Sequence, residues 1–393
     1  MTPSFPVRRV ALATWFPRNP ATPKGGVEAV SVNLAAALAR QDGLEVHVVT
    51  LAAGVLHPEI TLWQGITIHR LPRGRAPLLR FATGAGRKLV QNYLRGLQPD
   101  VVHAHDTFGI MTMGLDLPRV FTIHGFIHED TRYAGGFKAR CRALLWKRAE
   151  LAAWAEQPHV IAISPYVRER LAGIARGVIH DIENPIAPEC FELVREEQAG
   201  VIFSAAVVCE RKNTLGLVQA FARVARQHPG ARLRLAGPVT EPAYGEKIQA
   251  CIRQAGLAES VVLLGSLPAS AVREELARAS IFALVSFEEG APMGIAEAMA
   301  AGLPILTSNR CGMPYMVRHG ESGFLVDPRD PADIAWHLDQ LLAGDTVCRP
   351  MGEQARAAAE RLFHPDRVAE RNLAVYNSEI IKYESQIRYS LCK

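Results

Sequence analysis

Short runs rich in β-branched residues alternate with longer stretches of helical apolar spacing, and the alternation occurs twice in tandem. Residues 7–14, 44–50, 66–71, 100–105, 119–124, 159–164 and 177–183 read as strands in the first half. Residues 25–41 and 136–156 carry helical periodicity there. In the second half the strands are 200–208, 231–237, 260–265, 281–286, 303–308 and 323–327. Helical stretches fall at 213–227, 244–255, 269–279, 293–301 and 331–343. Nearly continuous apolar strands separated by helices imply parallel sheets buried on both faces. Two such sets imply two doubly wound α/β domains. Two prolines and a charged run break the pattern within Glu183–Gly200. The expected division is 1–185, 186–363 and a closing helix, 364–393, that runs back over the first domain.

Composition excludes several alternatives. Of the 393 residues, 49% are hydrophobic and 21% charged, which suits a globular chain and no disordered or fibrous one. No apolar run is long enough for a membrane-spanning helix. The opening MTPSFPVRRVALATWF reads as a first strand, not a secretory leader. The seven cysteines are odd in number, scattered and without a Cys-x-x-Cys pair, so a reducing compartment is expected and a structural zinc or disulfide frame is not. Charge divides unevenly. Residues 1–185 hold 22 Lys/Arg against 14 Asp/Glu, and residues 186–393 hold 22 against 25. The basic excess sits in Arg73, Arg75, Arg80, Arg87, Lys88 and Arg95, and in Arg132, Lys138, Arg140, Arg142, Lys147 and Arg148. An anionic acceptor, an anionic membrane surface and two solvated helix faces all fit. Nucleic acid fits poorly, because the runs lack interleaved aromatics and a recognition motif.

Ligands of open α/β sheets bind beyond the carboxyl ends of the strands. Two facing sheets would therefore enclose a cleft lined by those loops. After strand 281–286 the chain reads Phe287–Glu288–Glu289–Gly290–Ala291–Pro292–Met293–Gly294–Ile295–Ala296–Glu297. A glycine-rich turn opening a helix offers backbone N–H groups and the positive dipole end, a site suited to a diphosphate. Glu289 and Glu297 cannot bind phosphate, but they can accept hydrogen bonds from sugar hydroxyls beside it. For Glu297, a carboxylate favoured by the helix dipole is the plain alternative.

This stretch resembles the E-x7-E signature of retaining glycosyltransferases of the GT-B fold, the family 4 group. Residues 296–335 resemble that family's continuation. So do LAGP (235–238) and LGSLP (264–268). In the first half, Gly25–Gly26, DVVHAH (100–105), TIHG (122–125) and VIAIS (160–164) fit as well. ENP (183–185) stands where the family usually has Asn-Gly. The resemblance implies that Glu289 binds hydroxyls of the donor sugar and Glu297 the nucleotide ribose. Gly25, Gly26 and the residues Gly290, Ala291, Pro292, Met293 and Gly294 would line the donor. The usual Gly-Arg-(x4)-Lys diphosphate motif is altered here. Lys212 is kept, Val207 stands at the arginine position, and Arg211 is the better replacement than the more distant Arg310. Losing one arginine contact should weaken diphosphate binding.

His124, before Gly125, is placed by the resemblance beside the donor sugar; a packing histidine is the alternative. His103 and His105 share one strand face. They are acceptor-side candidates, or satisfied core groups. His124 and His128 have H-x3-H spacing, but the segment reads as a loop, so no metal site is expected. No nucleophile elbow and no Asp-x-Asp stands out. The resemblance then implies metal-independent transfer with retention. Lys212, Arg211 and the helix N-terminus would stabilise the leaving diphosphate, while Glu289 and His124 hold the sugar. A UDP-sugar is the first expectation, with GDP- and ADP-sugars open, and no other cofactor. The acceptor would be a glycan, lipid-linked or small-molecule hydroxyl of cell-envelope or polysaccharide synthesis. A cytoplasmic enzyme, peripheral on the inner membrane face, is the corollary. A nucleotide-sugar epimerase and a non-catalytic nucleotide-sugar-binding protein are the alternatives.

Overall fold

The computed structural model describes residues 7–133 and 136–391. The side chains of residues 132, 133, 136, 345, 384 and 386–391 fall outside that description. Arg132 of the second basic stretch, residues 1–6 of the opening stretch and Cys392 are therefore not among the described side chains. The chain divides into two compact units, Met1–Pro185 with Pro365–Lys393, and Ile186–His364.

The first unit runs β1 (Arg9–Ala13), α1 (Gly26–Ala39), β2 (Glu45–Ala52), β3 (Glu59–Trp63), β4 (Ile66–Pro72), α2 (Leu78–Thr83), α3 (Ala85–Leu97), β5 (Val101–His105), α4 (Thr107–Met111), β6 (Arg119–Ile123), α5 (Ile127–Tyr133), α6 (Gly136–Glu156), β7 (His159–Ala162), α7 (Pro165–Leu171) and β8 (Val178–Asp181). The second runs β9 (Val201–Ala205), α8 (Thr214–Val224), β10 (Arg232–Ala236), α9 (Pro242–Gln254), β11 (Val261–Gly265), α10 (Ala269–Arg278), β12 (Ile281–Leu284), α11 (Met293–Ala300), β13 (Ile305–Ser308), β14 (Gly323–Val326), α12 (Pro331–Leu342) and α13 (Asp345–Leu362). The last helix, α14 (Pro365–Leu391), belongs to the first unit.

The first sheet has the order β3-β4-β2-β1-β5-β6-β7-β8 and the second β11-β10-β9-β12-β13-β14. Every pairing is parallel except β3 with β4. Central strands such as Val101–His105 and Ile281–Leu284 are buried at every position, as helices on both faces require. Among the parallel strands of each sheet the order reverses once, between β1 and β5 and between β9 and β12. Loops diverge there and leave a crevice at the carboxyl ends.

Thirteen of these strands fall within a few residues of the runs expected from the sequence. The exception is β3, an edge strand with Ile60 and Leu62 exposed. The hairpin joining β3 to β4 turns through Gln64 and Gly65, both at positive φ. That geometry favours Asn-Gly, so Gln-Gly gave no signal. The expected strand 200–208 ends at Ala205, and Val208 instead bridges to Val239. Residues 127–133, read as loop, are helix α5. Helix α14 packs Val368, Leu373 and Tyr376 into the core with Val10, Leu12 and Leu38 of the first unit, where the sequence reading put it.

Candidate functional site

The switch point of the second unit gathers most of the singled-out residues. The segment after β9 pairs back on the next strand, Ala206 donating to Ala236 O and Val208 to Pro238 O. It then makes a short turn, Glu210–Lys212, closed by Asn213 at φ 53°. Asn213 Nδ2 donates to Val285 O (3.2 Å) and Pro328 O (2.7 Å), fixing this turn against the loop after β12. Phe287 N donates to Arg211 O at 2.9 Å. These bonds hold Lys212 over the loop that carries Glu289.

Glu289 is buried, and both cations converge on it. Lys212 Nζ donates to its Oε1, and Arg211 Nη1 lies 3.5 Å from its Oε2. Arg211 also donates to Glu288 O at 2.8 Å. Arg211, expected as a replacement phosphate ligand, is thus already engaged with the 288–289 carbonyl and carboxylate. Val207 is 38% exposed, so an apolar side chain fills the expected arginine position. Gly312 N donates to Glu289 O at 2.8 Å, and a Cβ on Gly312 would stand 1.7 Å from Gly290 O. Only glycine admits that backbone approach.

Helix α11 starts at Met293 behind Pro292, and no side chain caps it. The helix-start N–H groups of Met293 and Gly294 therefore remain for another acceptor. A Cβ on Gly294 would press on Ala205 O at 3.1 Å and the Phe282 ring at 3.2 Å, so the small residue lets α11 approach the end of β9. Glu297 lies in the second turn of α11. Burial pushes its carboxyl up to about 7 despite the opposing pull of Arg273. Glu297 is half-buried, and its carboxyl is enclosed beside Arg273, unlike the freely solvated side chain of a plain dipole-capping acid. Arg273, on α10, gave no signal in the sequence.

The first unit has its own crevice. Gly25 is the N-cap of α1 in extended backbone, and a Cβ there would meet nothing within 4 Å. Nothing in the fold demands glycine at that position. At the carboxyl ends of β5 and β6, His103 is fully buried with Nδ1 2.7 Å from Tyr376 Oη and Nε2 2.7 Å from Thr122 Oγ1. Both nitrogens are satisfied internally, and burial draws its pKa down to about 3. His103 is a core group and not an acceptor ligand. His105, also buried, turns Nδ1 onto His124 Nε2 at 2.8 Å and is likewise no surface contact.

Asp106 was missed by the sequence reading. It follows β5 at φ 43°, a backbone region rare outside glycine, and accepts the His124 N–H at 2.9 Å. Its place directly after a strand end was the available signal. His128, on α5, is bonded through Nδ1 to Glu150 Oε2 at 2.7 Å, and Glu150 also accepts the N–H groups of Ile127 and His128. Among the described residues no group of three or more His, Cys, Asp or Glu side chains could hold a metal ion.

Two doubly wound α/β units and a paired-glutamate turn opening a helix define the class of GT-B glycosyltransferases. Within it the chain belongs to the group 1 and family 4 glycosyltransferases. Residues 189–358 match the family model for glycosyl transferases group 1, and residues 24–189 that for Glycosyltransferase Family 4. The exopolysaccharide phosphotransferase SCO2592 of Streptomyces coelicolor is 36% identical over 146 residues, 37% of this chain; the chain spans only 15% of that relative. The uncharacterized glycosyltransferase MJ1607 of Methanocaldococcus jannaschii is 25% identical over 94% of this chain and 97% of its own. Anabaena HepE, solved in complex with UDP and glucose, superposes with a TM-score of 0.72 at 16% identity, over 94% of this chain and all of HepE.

Proposed function

We propose that the protein is a retaining, metal-independent glycosyltransferase that moves a hexose from a nucleoside-diphosphate donor, UDP first, to a hydroxyl of a glycan or lipid-linked acceptor in polysaccharide or cell-envelope synthesis. The observation that carries it is Lys212 held on Glu289, in the turn that opens the uncapped helix α11 at the switch point of the second unit. Glu289 accepts sugar hydroxyls and Glu297 the ribose. The diphosphate draws Lys212 off Glu289, and the sugar hydroxyls replace the lysine there. The N–H groups of Met293 and Gly294 with Lys212 then stabilise the charge that develops on the leaving phosphate. His124 orients the sugar. The acceptor proton passes to the departing phosphate, so no protein base is assigned. HepE's complex with UDP and glucose supports the choice of UDP.

The test begins with thermal shifts across UDP-, GDP- and ADP-sugars, since a ligand of the native state raises the melting point. Nucleotide release with acceptor, in the presence of chelator, and the anomeric configuration of the product follow. An inverted product, or loss of turnover on chelation, would refute the mechanism. Val207 favours one second reading, a binding protein without transfer; nucleotide protection with no product from any acceptor would support it.

Contact with an anionic membrane belongs to the same proposal. Helix α6 exposes Phe137, Leu144 and Leu145 at 81, 55 and 54%, among exposed Lys138, Arg140, Arg142, Lys147 and Arg148. Apolar side chains ringed by cations suit the interface of an anionic bilayer. No helix of the described residues is long and apolar enough to cross one. Flotation with vesicles containing phosphatidylglycerol, but not with pure phosphatidylcholine, is expected. Reversing Lys138, Arg140, Lys147 and Arg148 to glutamate should abolish it; equal flotation of that variant would remove this part of the proposal.

A further inference from the structure

His105 has a satisfied nitrogen and an orphaned one. Its Nδ1 lies 2.8 Å from His124 Nε2, and the two rings stack with centroids 5.0 Å apart at 25°. Its Nε2 is buried and, among the described residues, has no hydrogen-bond partner. The His103 ring packs on its other side, 4.4 Å between centroids, with both of its own nitrogens already bonded. On His124, Nε2 is taken by His105, and Nδ1 is buried without a completed hydrogen bond. The Asn184 amide stands beside that ring and favours its protonation. The carboxylate of Asp106 holds the backbone N–H of His124.

Two facing imidazole nitrogens share one proton, so one ring must donate and the other accept. If His124 donated from Nε2, neutral His105 would accept at Nδ1 and carry its own proton on Nε2. That N–H would be enclosed with no acceptor, and buried orphan N–H groups are rare. In the opposite arrangement His105 donates from Nδ1 and encloses only a lone pair at Nε2, and the enclosed N–H passes to His124 Nδ1, where the Asn184 side chain stands as an acceptor. His124 then accepts at Nε2 and, as a neutral ring, carries its proton on Nδ1. Burial lowers the pKa of both rings, with the neighbouring imidazoles lowering His105 further, so neutrality of the pair is the ordinary state.

We infer that His105 is a positioning residue: its Nδ1–H fixes the His124 ring and sets His124 as the neutral Nδ1–H tautomer. A ligand that displaces the Asn184 side chain from this ring thus meets a hydrogen-bond donor. The matching chemistry is an acceptor oxygen, such as a sugar hydroxyl; an ammonium or amide N–H on the ligand would be rejected there. A neutral donor also adds no positive charge beside a carbon that becomes cationic during transfer. The inference rests on the assignment of His124 to the sugar, and its test separates the two.

The full chain, labelled with ¹⁵N, is examined by long-range ¹H–¹⁵N correlation of the histidine side chains, with His124→Asn and His105→Asn used for assignment. The wild-type His124 signal should show the proton on Nδ1. His105→Leu removes the donor at similar size. Its His124 proton should move to Nε2, and kcat should fall roughly 10- to 100-fold with the nucleotide-sugar KM little changed, the scale of a misplaced catalytic contact. His105→Asn keeps an amide N–H near the place of Nδ1–H. It should preserve the Nδ1–H tautomer and recover most of the activity that His105→Leu loses. A wild-type His124 protonated on Nε2 would overturn the inference, as would equal losses in the Leu and Asn variants. If the Leu variant does not fold, the wild-type spectrum and the Asn variant still decide. Undiminished turnover in His124→Asn would remove the sugar-orienting role while leaving the tautomer result standing.

Discussion

Replacing Glu297 with glutamine should make the ligand-free protein more stable at alkaline pH and poorer at holding nucleotide. Burial raises the Glu297 carboxyl from an ordinary 4.5 to about 7, with Arg273 offsetting part of the effect. The residue keeps some exposed surface while its carboxyl is enclosed by protein atoms, so the full shift sets an upper bound. Because the folded value lies above the unfolded one, the folded chain retains a proton that the unfolded chain releases between those two values. Wild-type stability is thus complete below about pH 4.5 and falls as pH rises through 7. Raising the carboxyl from 4.5 to about 7, at about 1.4 kcal/mol for each pH unit between them, gives a loss of up to about 3.5 kcal/mol by pH 8. Glutamine carries no charge and escapes this loss. The variant and wild type should therefore melt together below about pH 4.5, separate as pH rises from 4.5 to 7, and keep the full difference above pH 7. For a unit of this size, about 2–4 °C per kcal/mol puts the alkaline difference at up to roughly 7–14 °C. Scanning calorimetry from pH 4.5 to 8.5, with and without UDP-sugar, measures both effects. Losing a charged acceptor for ribose hydroxyls costs about 1.5–3 kcal/mol, enough to remove most of the protection seen at 100 Kd. A melting difference independent of pH would refute the burial reasoning, and intact nucleotide protection would refute the ribose assignment.

Three other outcomes are expected. Lys212→Ala should lower kcat/KM by about 10²–10³, the usual cost of one group that stabilises developing charge. The chain should stay folded because Arg211 still faces Glu289 at 3.5 Å; circular dichroism and steady-state kinetics check both halves. Gly312→Ala drives a methyl to 1.7 Å from Gly290 O, so the 287–291 loop must move. Its melting point and nucleotide protection should both drop, by several kcal/mol of stability in all. Tyr376→Phe strips His103 Nδ1 of its partner, which should cost about 1–3 kcal/mol in urea denaturation with turnover nearly unchanged. A large loss of turnover without loss of stability would return His103 to the acceptor site.

Much of the site was legible because its chemistry is written in contiguous residues. Glu289, Gly290, Gly294 and Glu297 lie within nine positions, and a turn opening a helix fixes their relation by backbone geometry alone. Lys212 stood out through the family resemblance, but its engagement with Glu289 did not, because that contact joins two loops 77 residues apart. The histidines failed for the opposite reason. The alternation of β5 put His103 and His105 on one face correctly, yet a period of two cannot say whether that face meets solvent or helix α14. Tyr376, 273 residues away, decided it. Helix α13 was also invisible: Pro350 and Gly352 interrupt its pattern, and its place comes from packing so close that a Cβ on Gly352 would stand 2.2 Å from Gly302 O.

What the amino-acid order determined by itself was the set of local periods, and with them two parallel-sheet units and a helix start suited to an anion. Those properties depend on neighbours a few residues apart. Which cations meet which carboxylates, which histidine is sealed in the core and which one pairs with a second imidazole depended on loops brought together by strand order. That order is a property of the packed sheet, where burial and long-range contacts outweigh any local preference.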